Sequence, residues 1–459
     1  MTRRVEALCR NDLDGSRGMH SNHGLAPVLA IILLAGPWTP KALERRAVKA
    51  FGPRSRKRAK RLVAELLASI KTPYAPQIEQ LERLIARSAS LKRIGETTAE
   101  RIRSLPVDVV PPSFVPLPAF REKNIPALTT TSDLTRWLDV LPQQIAWFAD
   151  SHRTLAKATG EALQHYAHQW VPKRHGSWRL IEAPKPRLKA MQRRILRDIL
   201  DRAPPHDTAF AFVKGRSCAA AAARHASEGV VVTVDLKDFF LNTPLRRVHA
   251  IFRCLGYPTA VARTLTGLCS TTTPSAVLDS NFSAAAPNHE TRKRYASAHL
   301  PQGAPTSPAL ANLAARRLDC RLTGLASRFD ARYTRYADDL TFSGDKALLS
   351  QLDRFIRAID EIVKDEGFAL NAHKTRIMPR STRQSVTGIV VNQHINIARP
   401  DYDTLKATLT NCARHGATTQ NRDGHADYHA HLNGRVTWIE TVNPRRGEKL
   451  RRIFETISW

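Results

Sequence analysis

Apolar positions in the first hundred residues recur three and four apart between basic ones. This spacing predicts helices over Lys41–Phe51, Arg58–Ile70 and Pro76–Leu105. Ahead of them, Leu25–Gly36 is a 12-residue apolar run, too short to cross a bilayer. It follows Arg3, Arg4, Arg10 and Arg17 as a signal peptide would, but Pro27 interrupts it and a helical pattern resumes at Trp38. A buried first helix is the expectation, with Met19 a second candidate start. Residues 106–131 lose periodicity and hold six prolines, the mark of a linker or an extended strap. Ser132-Asp133 then caps a helical stretch, Leu134–Ala149, that introduces a larger second domain. Residues 270–298, rich in Ser, Thr, Ala and Asn, read as a mobile insertion. Helical patterning returns over Asp401–Trp459, where core packing is expected of Trp438 and Trp459.

Charge changes this picture. The 459 residues carry 71 Lys plus Arg against 41 Asp plus Glu, a formal +30. Such an excess favours a polyanionic partner, because each phosphate contact releases condensed counterions. Basic residues are densest at Arg54–Arg61 (RSRKRAKR), which is either a solvated helix face or a nucleic-acid contact. The six cysteines are scattered with no C-x-x-C pair, which argues against a disulfide framework or thiolate zinc site and fits a reducing cytosol. No membrane association is expected.

Two segments carry candidate chemistry. Val230–Val234 is a β-branched run that delivers Asp235 at the end of a buried strand. About a hundred residues later, RYTRYADDLTFS (Arg332–Ser343) has two β-patterned arms around Ala337-Asp338-Asp339, a hairpin with adjacent acids at its tip. An isolated Asp-Asp is usually an ordinary turn. Together with a strand-end aspartate, however, the pair can hold two Mg²⁺ ions roughly 4 Å apart, able to activate a 3′-hydroxyl and stabilise departing pyrophosphate.

Tyr336-Ala337-Asp338-Asp339 resembles the Y-x-D-D box of reverse transcriptases, with Asp235 at the place of their first catalytic aspartate. LPQGAPTSP (Leu300–Pro308) is similar to their P-Q-G-x-x-x-S-P motif, in which Gly303 admits close backbone approach and Gln302 can bond a nucleotide. Tyr166–Leu200 resembles the fingers segment of retron and intron-related enzymes, implying Arg174 and Arg179 as grips on the triphosphate. AFVKGRS (Ala211–Ser217) matches the next box. GFALNAHKT (Gly367–Thr375) supplies Lys374, which the resemblance implies assists pyrophosphate departure. Phe240 takes the position of the aromatic gate against a 2′-hydroxyl, with Phe239 competing for the role. Val386-Thr387-Gly388 resembles the retron V-T-G signature, and HLNGRVTWIETVNP a retron thumb.

This resemblance covers about residues 134–459 and implies an α+β right-hand polymerase. The expected organisation is a helical N-terminal extension (1–105), a Pro-rich linker (106–131), fingers and a ferredoxin-like palm (132–395), and a helical thumb (396–459). Asp235, Asp338 and Asp339 would bind two Mg²⁺. The substrates would be dNTPs and a structured non-coding RNA primed from a guanosine 2′-hydroxyl, giving branched msDNA and an RNA–DNA hybrid. Retron membership further implies anti-phage defence in the cytoplasm with a separate effector protein. The rivals are a non-retron (intron-like or other defence) reverse transcriptase and a catalytically inactive RNA-binding protein.

Overall fold

The computed structural model describes residues 24–35, 38–70, 76, 78–91, 94–105, 112–151, 160, 163–172, 178–279 and 289–459. The chain divides into two units, the second beginning at Phe114.

The first unit is helical: α1 (Leu25–Leu34), α2 (Pro40–Phe51), α3 (Arg56–Ser69), α4 (Ile78–Arg87) and α5 (Glu96–Ser104). Its core joins Leu25, Leu29 and Leu33 of α1 to Leu43 and Ala47 of α2 and Leu62 and Leu66 of α3. Pro27 is harmless because it falls in the first turn of α1, where a backbone N–H has no partner to lose. The single helix expected over Pro76–Leu105 is two. After α4, Ser88 and Ser90 turn their hydroxyls onto the Glu65 carboxylate (2.6 and 3.3 Å), one way short polar side chains compete with helix continuation.

The second unit opens with an extended strap whose Val115 and Leu117 amides donate to the carbonyls of Gly256 and Cys254 (3.0 Å each). Helices α6 (Thr131–Leu138) and α7 (Pro142–Phe148) replace the one stretch expected there. Thr130, rather than Ser132, is the N-cap, in a reciprocal box with Asp133. Asp139 ends α6 in the left-handed conformation, and Pro142 suits only the start of a helix.

The hairpin β1 (Tyr166–Pro172) and β2 (Trp178–Pro184) leads into α8 (Pro186–Asp198) and α9 (Cys218–Ala223). Then comes β3 (Val230–Asp235), followed by α10 (Leu245–Cys254), α11 (Thr259–Leu268), α12 (Ser275–Asp279), α13 (His289–Tyr295), α14 (Ser307–Ala314) and α15 (Arg316–Arg328). The hairpin β4 (Arg332–Tyr336) and β5 (Asp339–Gly344), helices α16 (Lys346–Ser350) and α17 (Leu352–Asp365), and β6 (Arg376–Pro379) complete the centre. These four central strands form an antiparallel sheet in the order β4-β5-β3-β6. Strand–helix–strand–strand–helix–strand connectivity in that order is the ferredoxin-like palm. β3 is buried at every position but the half-buried Thr233, and the core beneath the sheet gathers Val232, Phe342, Leu322, Phe355 and Ile359. Of the insertion expected at 270–298, residues 280–288 lie outside the described residues. Its base is closed by two backbone hydrogen bonds between Thr271 and His299 (3.0 and 2.9 Å).

A short hairpin, β7 (Ser385–Val386) and β8 (Ile389–Val390), turns through Thr387 and Gly388, both left-handed at φ 50° and 84°. That is the backbone of a type I′ turn. Three helices follow, α18 (Arg399–His415), α19 (Tyr428–Val442) and α20 (Pro444–Glu455), with their own core of Leu405, Leu409, Leu432, Val436 and Leu450. The two tryptophans expected in a core are on the surface: Trp438 is 40% exposed and Trp459 49%. Trp438 sits on the outer row of α19, and Trp459 lies against His429 and Phe454 (4.7 and 5.0 Å) with its far side in solvent. No helix among the described residues is long and apolar enough to cross a membrane.

His225 lies fully buried beneath the β4–β5 hairpin, its ring nitrogens paired with Ser343 Oγ (2.8 Å) and Thr334 Oγ1 (2.7 Å). Burial, and secondarily the Arg332 charge, depress its pKa to about 3. The folded state therefore holds this ring neutral while the unfolded chain protonates it near pH 6.5. Stability is expected to be intact above pH 6.5 and to fall as pH drops toward 3. The slope from this ring approaches about 1.4 kcal/mol per pH unit. Denaturant titrations across that window check it; a His225→Leu variant with the same slope as wild type would refute it.

Candidate active site

The β3–β5 ladder sets Asp235 directly opposite Asp339, and the β4–β5 pairing sets Tyr336 opposite Asp339. That register leaves Ala337 and Asp338 as a two-residue turn, with Ala337 left-handed at φ 57°. An alanine there is strained and must be held by its surroundings. Leu236 N donates to Asp338 O (2.9 Å), locking the turn to the end of β3. The three acids expected to act together are thus brought together at one end of the palm sheet.

Their electrostatics follow from this placement. Burial and then the Asp235 charge raise the Asp338 carboxyl above the ordinary range. Asp339 reaches solvent on one side, but burial on the others and repulsion from Asp338 and Asp235 push it to about 6. Asp235 is nearly buried and accepts from Lys374 Nζ at 2.8 Å. Lys374 gets there because Asn371 N donates to Asp235 O (2.8 Å) and the turn Ala372–Lys374 swings the side chain back. The Asp235 hydrogen bond in turn raises the lysine's pKa.

Among the described residues, no three Asp, Glu, His or Cys side chains already enclose a point where a metal ion would sit. The donor set nonetheless suits a hard divalent cation. It consists of carboxylates only, two of them pushed toward protonation by burial and by the charge of neighbouring carboxylates, so an added cation would relieve the repulsion.

The other expected residues fall as follows. Arg174 lies outside the described residues. Arg179, exposed on β2, is close enough that its charge lowers the pKa of Asp338. Phe239 is buried against Phe368 (5.7 Å), whereas Phe240 is only half-buried, so of the two rings Phe240 is the available one. Gln302 O accepts from Glu182 N (2.8 Å), fastening the 300–308 loop to β2. Gly303, at φ 134°, makes its close approach there: a Cβ would lie 3.0 Å from Glu182 O.

Three features have no counterpart among the expected residues. The first is Glu182 itself, fully buried, whose carboxylate accepts from Thr273 Oγ1 and meets His299 Nε2, both at 2.8 Å. His299 Nδ1 faces Ser297 O (2.7 Å), so both ring nitrogens face acceptors and a proton must lie between His299 and Glu182. Glu182 falls on the inward-facing alternation of β2 with Leu180 and Pro184, a signal legible in the strand pattern. The second is Phe212, 57% exposed and left-handed at φ 60°, its ring 6.4 Å from Phe240.

The third is Arg335, the largest fully buried side chain among the described residues. Its guanidinium grips the Asp319 carboxylate through two bonds (2.8 and 2.7 Å) and also donates to Asn312 Oδ1 (2.8 Å) and Ala337 O (3.1 Å). Tyr333 Oη donates to the same carboxylate (2.9 Å), and Asn312 Nδ2 donates to Ala211 O (2.8 Å). One buried network therefore ties the Ala337–Asp338 turn to α14, α15 and the 211–217 loop.

Residues 171–391 match the family described as Reverse transcriptase (RNA-dependent DNA polymerase). The chain is 40% identical over 299 residues to the Retron Mx65 reverse transcriptase of Myxococcus xanthus, covering 64% of this chain and 65% of that one. Against the Retron Mx162 reverse transcriptase of the same organism it is 36% identical over 338 residues, 71% and 67% of the two chains. Against the Retron Ec73 reverse transcriptase of Escherichia coli it is 30% identical over 304 residues, covering 63% of this chain and 87% of that one. The chain belongs to the retron reverse transcriptases. It spans about two thirds of the length of the two Myxococcus relatives (65% and 67%). As a retron reverse transcriptase, it has its three carboxylates, Gln302 and Lys374 all within the matched segment.

Proposed function

We propose that this retron reverse transcriptase is an active RNA-directed DNA polymerase. It copies a structured non-coding RNA from dNTPs, starting at a guanosine 2′-hydroxyl, and leaves branched msDNA. The observation that supports this best is the strand register that sets Asp235 against Asp339 and fixes Asp338 at the adjoining turn. A chain that only bound RNA would gain nothing from keeping mutually repelling carboxylates at one point.

Reverse transcriptases use divalent metal ions, and two Mg²⁺ held by Asp235, Asp338 and Asp339 would supply charge stabilisation at the attacking and leaving oxygens. The chain's own residues position the reactants. Arg179 on β2 holds a triphosphate near the carboxylates, with Arg174 assigned the same task. Lys374, already protonated and half-exposed, delivers a proton to the departing pyrophosphate. The family's retron character supports a defence role alongside a separate effector.

Expression with the flanking genomic DNA tests the reading. A short DNA sensitive to debranching, present in wild type and absent from an Asp338→Ala, Asp339→Ala variant, is the expected result. Primer extension on RNA without any branched product would move the chain to a polymerase that does not make msDNA. Phe240 gives a finer test. With its ring half-exposed beside the site, Phe240→Ala is expected to raise ribonucleotide incorporation at least about tenfold, as removal of a steric clash worth ~1.4 kcal/mol would. Single-nucleotide incorporation assays with paired dNTP and rNTP would show it; unchanged discrimination would remove Phe240 from that role.

A further inference from the structure

The basic residues of the first unit are arranged, not scattered. On α2, Lys41, Arg45 and Lys49 follow one another at i, i+4 and i+8, all exposed. On α3, Arg56 and Lys60 form one such row and Lys57 and Arg61 the next, again exposed, with Arg54 just ahead of the helix. The inward positions Leu43, Ala47 and Ala50 of α2 and Ala59, Leu62, Val63 and Leu66 of α3 belong to a common core, which fixes these rows outward. Arg101 of α5 joins them where the helices meet, lying against Gly52 in the connection between α2 and α3. Of these nine cations only Arg61 has an acidic partner among the described residues, Glu65 at 3.2 Å.

This arrangement costs stability. Like charges four apart repel, and the basic first turn of α3, which has no acid to oppose it, meets the positive end of the helix dipole. A face that merely kept the protein soluble would mix signs.

The surface also lacks what two other partners would need. No large hydrophobic side chain among the described residues of this unit is strongly exposed. A protein interface would want buried aromatic or aliphatic anchors, and a membrane-surface helix an apolar face to sink. What remains is recognition of phosphates by charge alone.

We infer that the α2–α3 face is a binding surface for the RNA phosphate backbone, carried on a unit separate from the polymerase. The inference rests on the polymerase reading only in making RNA, rather than DNA, the polyanion at hand. Because its partners are phosphates, the surface adds affinity without choosing a sequence.

The test compares the full chain with a variant carrying Arg54→Gln, Arg56→Gln, Lys57→Gln and Lys60→Gln. The probe is a synthetic RNA hairpin of arbitrary sequence, titrated at several salt concentrations. The substitutions remove like-charge repulsion, so the variant is expected to melt no lower than wild type. Its affinity is expected to fall at least about tenfold at physiological salt, and the slope of log K on log salt to shrink by roughly 0.7–0.9 for each phosphate no longer neutralised. Equal affinities and equal slopes would overturn the inference. So would a loss of binding confined to phosphatidylserine vesicles, which would make the face a membrane surface. Extension of a pre-annealed oligonucleotide pair is followed in parallel and is expected to be unchanged, since none of the four residues belongs to the polymerase site. Failure of wild type to extend that primer would sink the polymerase reading by itself, while the hairpin titration still decides the role of this face.

Discussion

Asp338→Asn is expected to yield a folded protein whose primer extension is slower by about 10³-fold or more. The backbone carbonyl of Asp338, which accepts from Leu236 N, is untouched by the change, so the turn keeps its tie to β3. The asparagine is nearly isosteric and relieves the repulsion that, together with the larger effect of burial, holds the neighbouring Asp339 carboxyl at about 6. The melting temperature is therefore expected to hold or rise. What disappears is one anionic oxygen donor to a divalent cation, and that is worth several kcal/mol of transition-state stabilisation, about 4 kcal/mol for a 10³-fold effect. Single-turnover extension measured beside thermal melting separates the two consequences. Activity within about tenfold of wild type would show that this carboxylate is not among those that matter.

Arg335→Met is expected to be the most damaging substitution outside the carboxylates. Asp319 is fully buried, and the guanidinium supplies two of its hydrogen bonds. Its removal strands a charge in the core, at a cost of about 3–5 kcal/mol. The carbonyl of Ala337 also loses the donor that steadies its strained turn, so activity should fall further than stability alone explains. In Arg335→Met, Asp319→Leu the uncompensated charge is gone, and the double variant is expected to be more stable than Arg335→Met alone. Urea unfolding of wild type, Arg335→Met, Asp319→Leu and the double variant gives the coupling directly. A double variant as unstable as the sum of the singles would mean that Arg335 and Asp319 act independently.

The parts of this molecule legible in the sequence are those in which a short segment carries its own explanation. The β-branched run into Asp235 and the two arms around Ala337-Asp338-Asp339 show their strands by period and their chemistry by the pairing of acids. The helical rows of the first unit are equally plain. Breaks are harder to see. Ser88 and Ser90 end α4 because Glu65, more than twenty residues earlier, receives their hydroxyls, which no local pattern announces. Arg335 lies between tyrosines in an amphipathic-looking strand, and only the fold brings Asp319 and Asn312 to meet it. Trp438 shows the converse error. A large ring suggests a core, yet its position on α19 turns it outward.

The strap at the head of the second unit sets a boundary for anyone dissecting the protein. Phe114 packs its ring 5.2 Å from Tyr257, while Val115 and Leu117 extend α10's end by two hydrogen bonds. A polymerase fragment trimmed back to the start of α6 would bare that aromatic pocket and forfeit both bonds. One beginning a few residues before Phe114 would keep its natural edge, so the cut for a minimal enzyme belongs inside the proline-rich stretch and not after it.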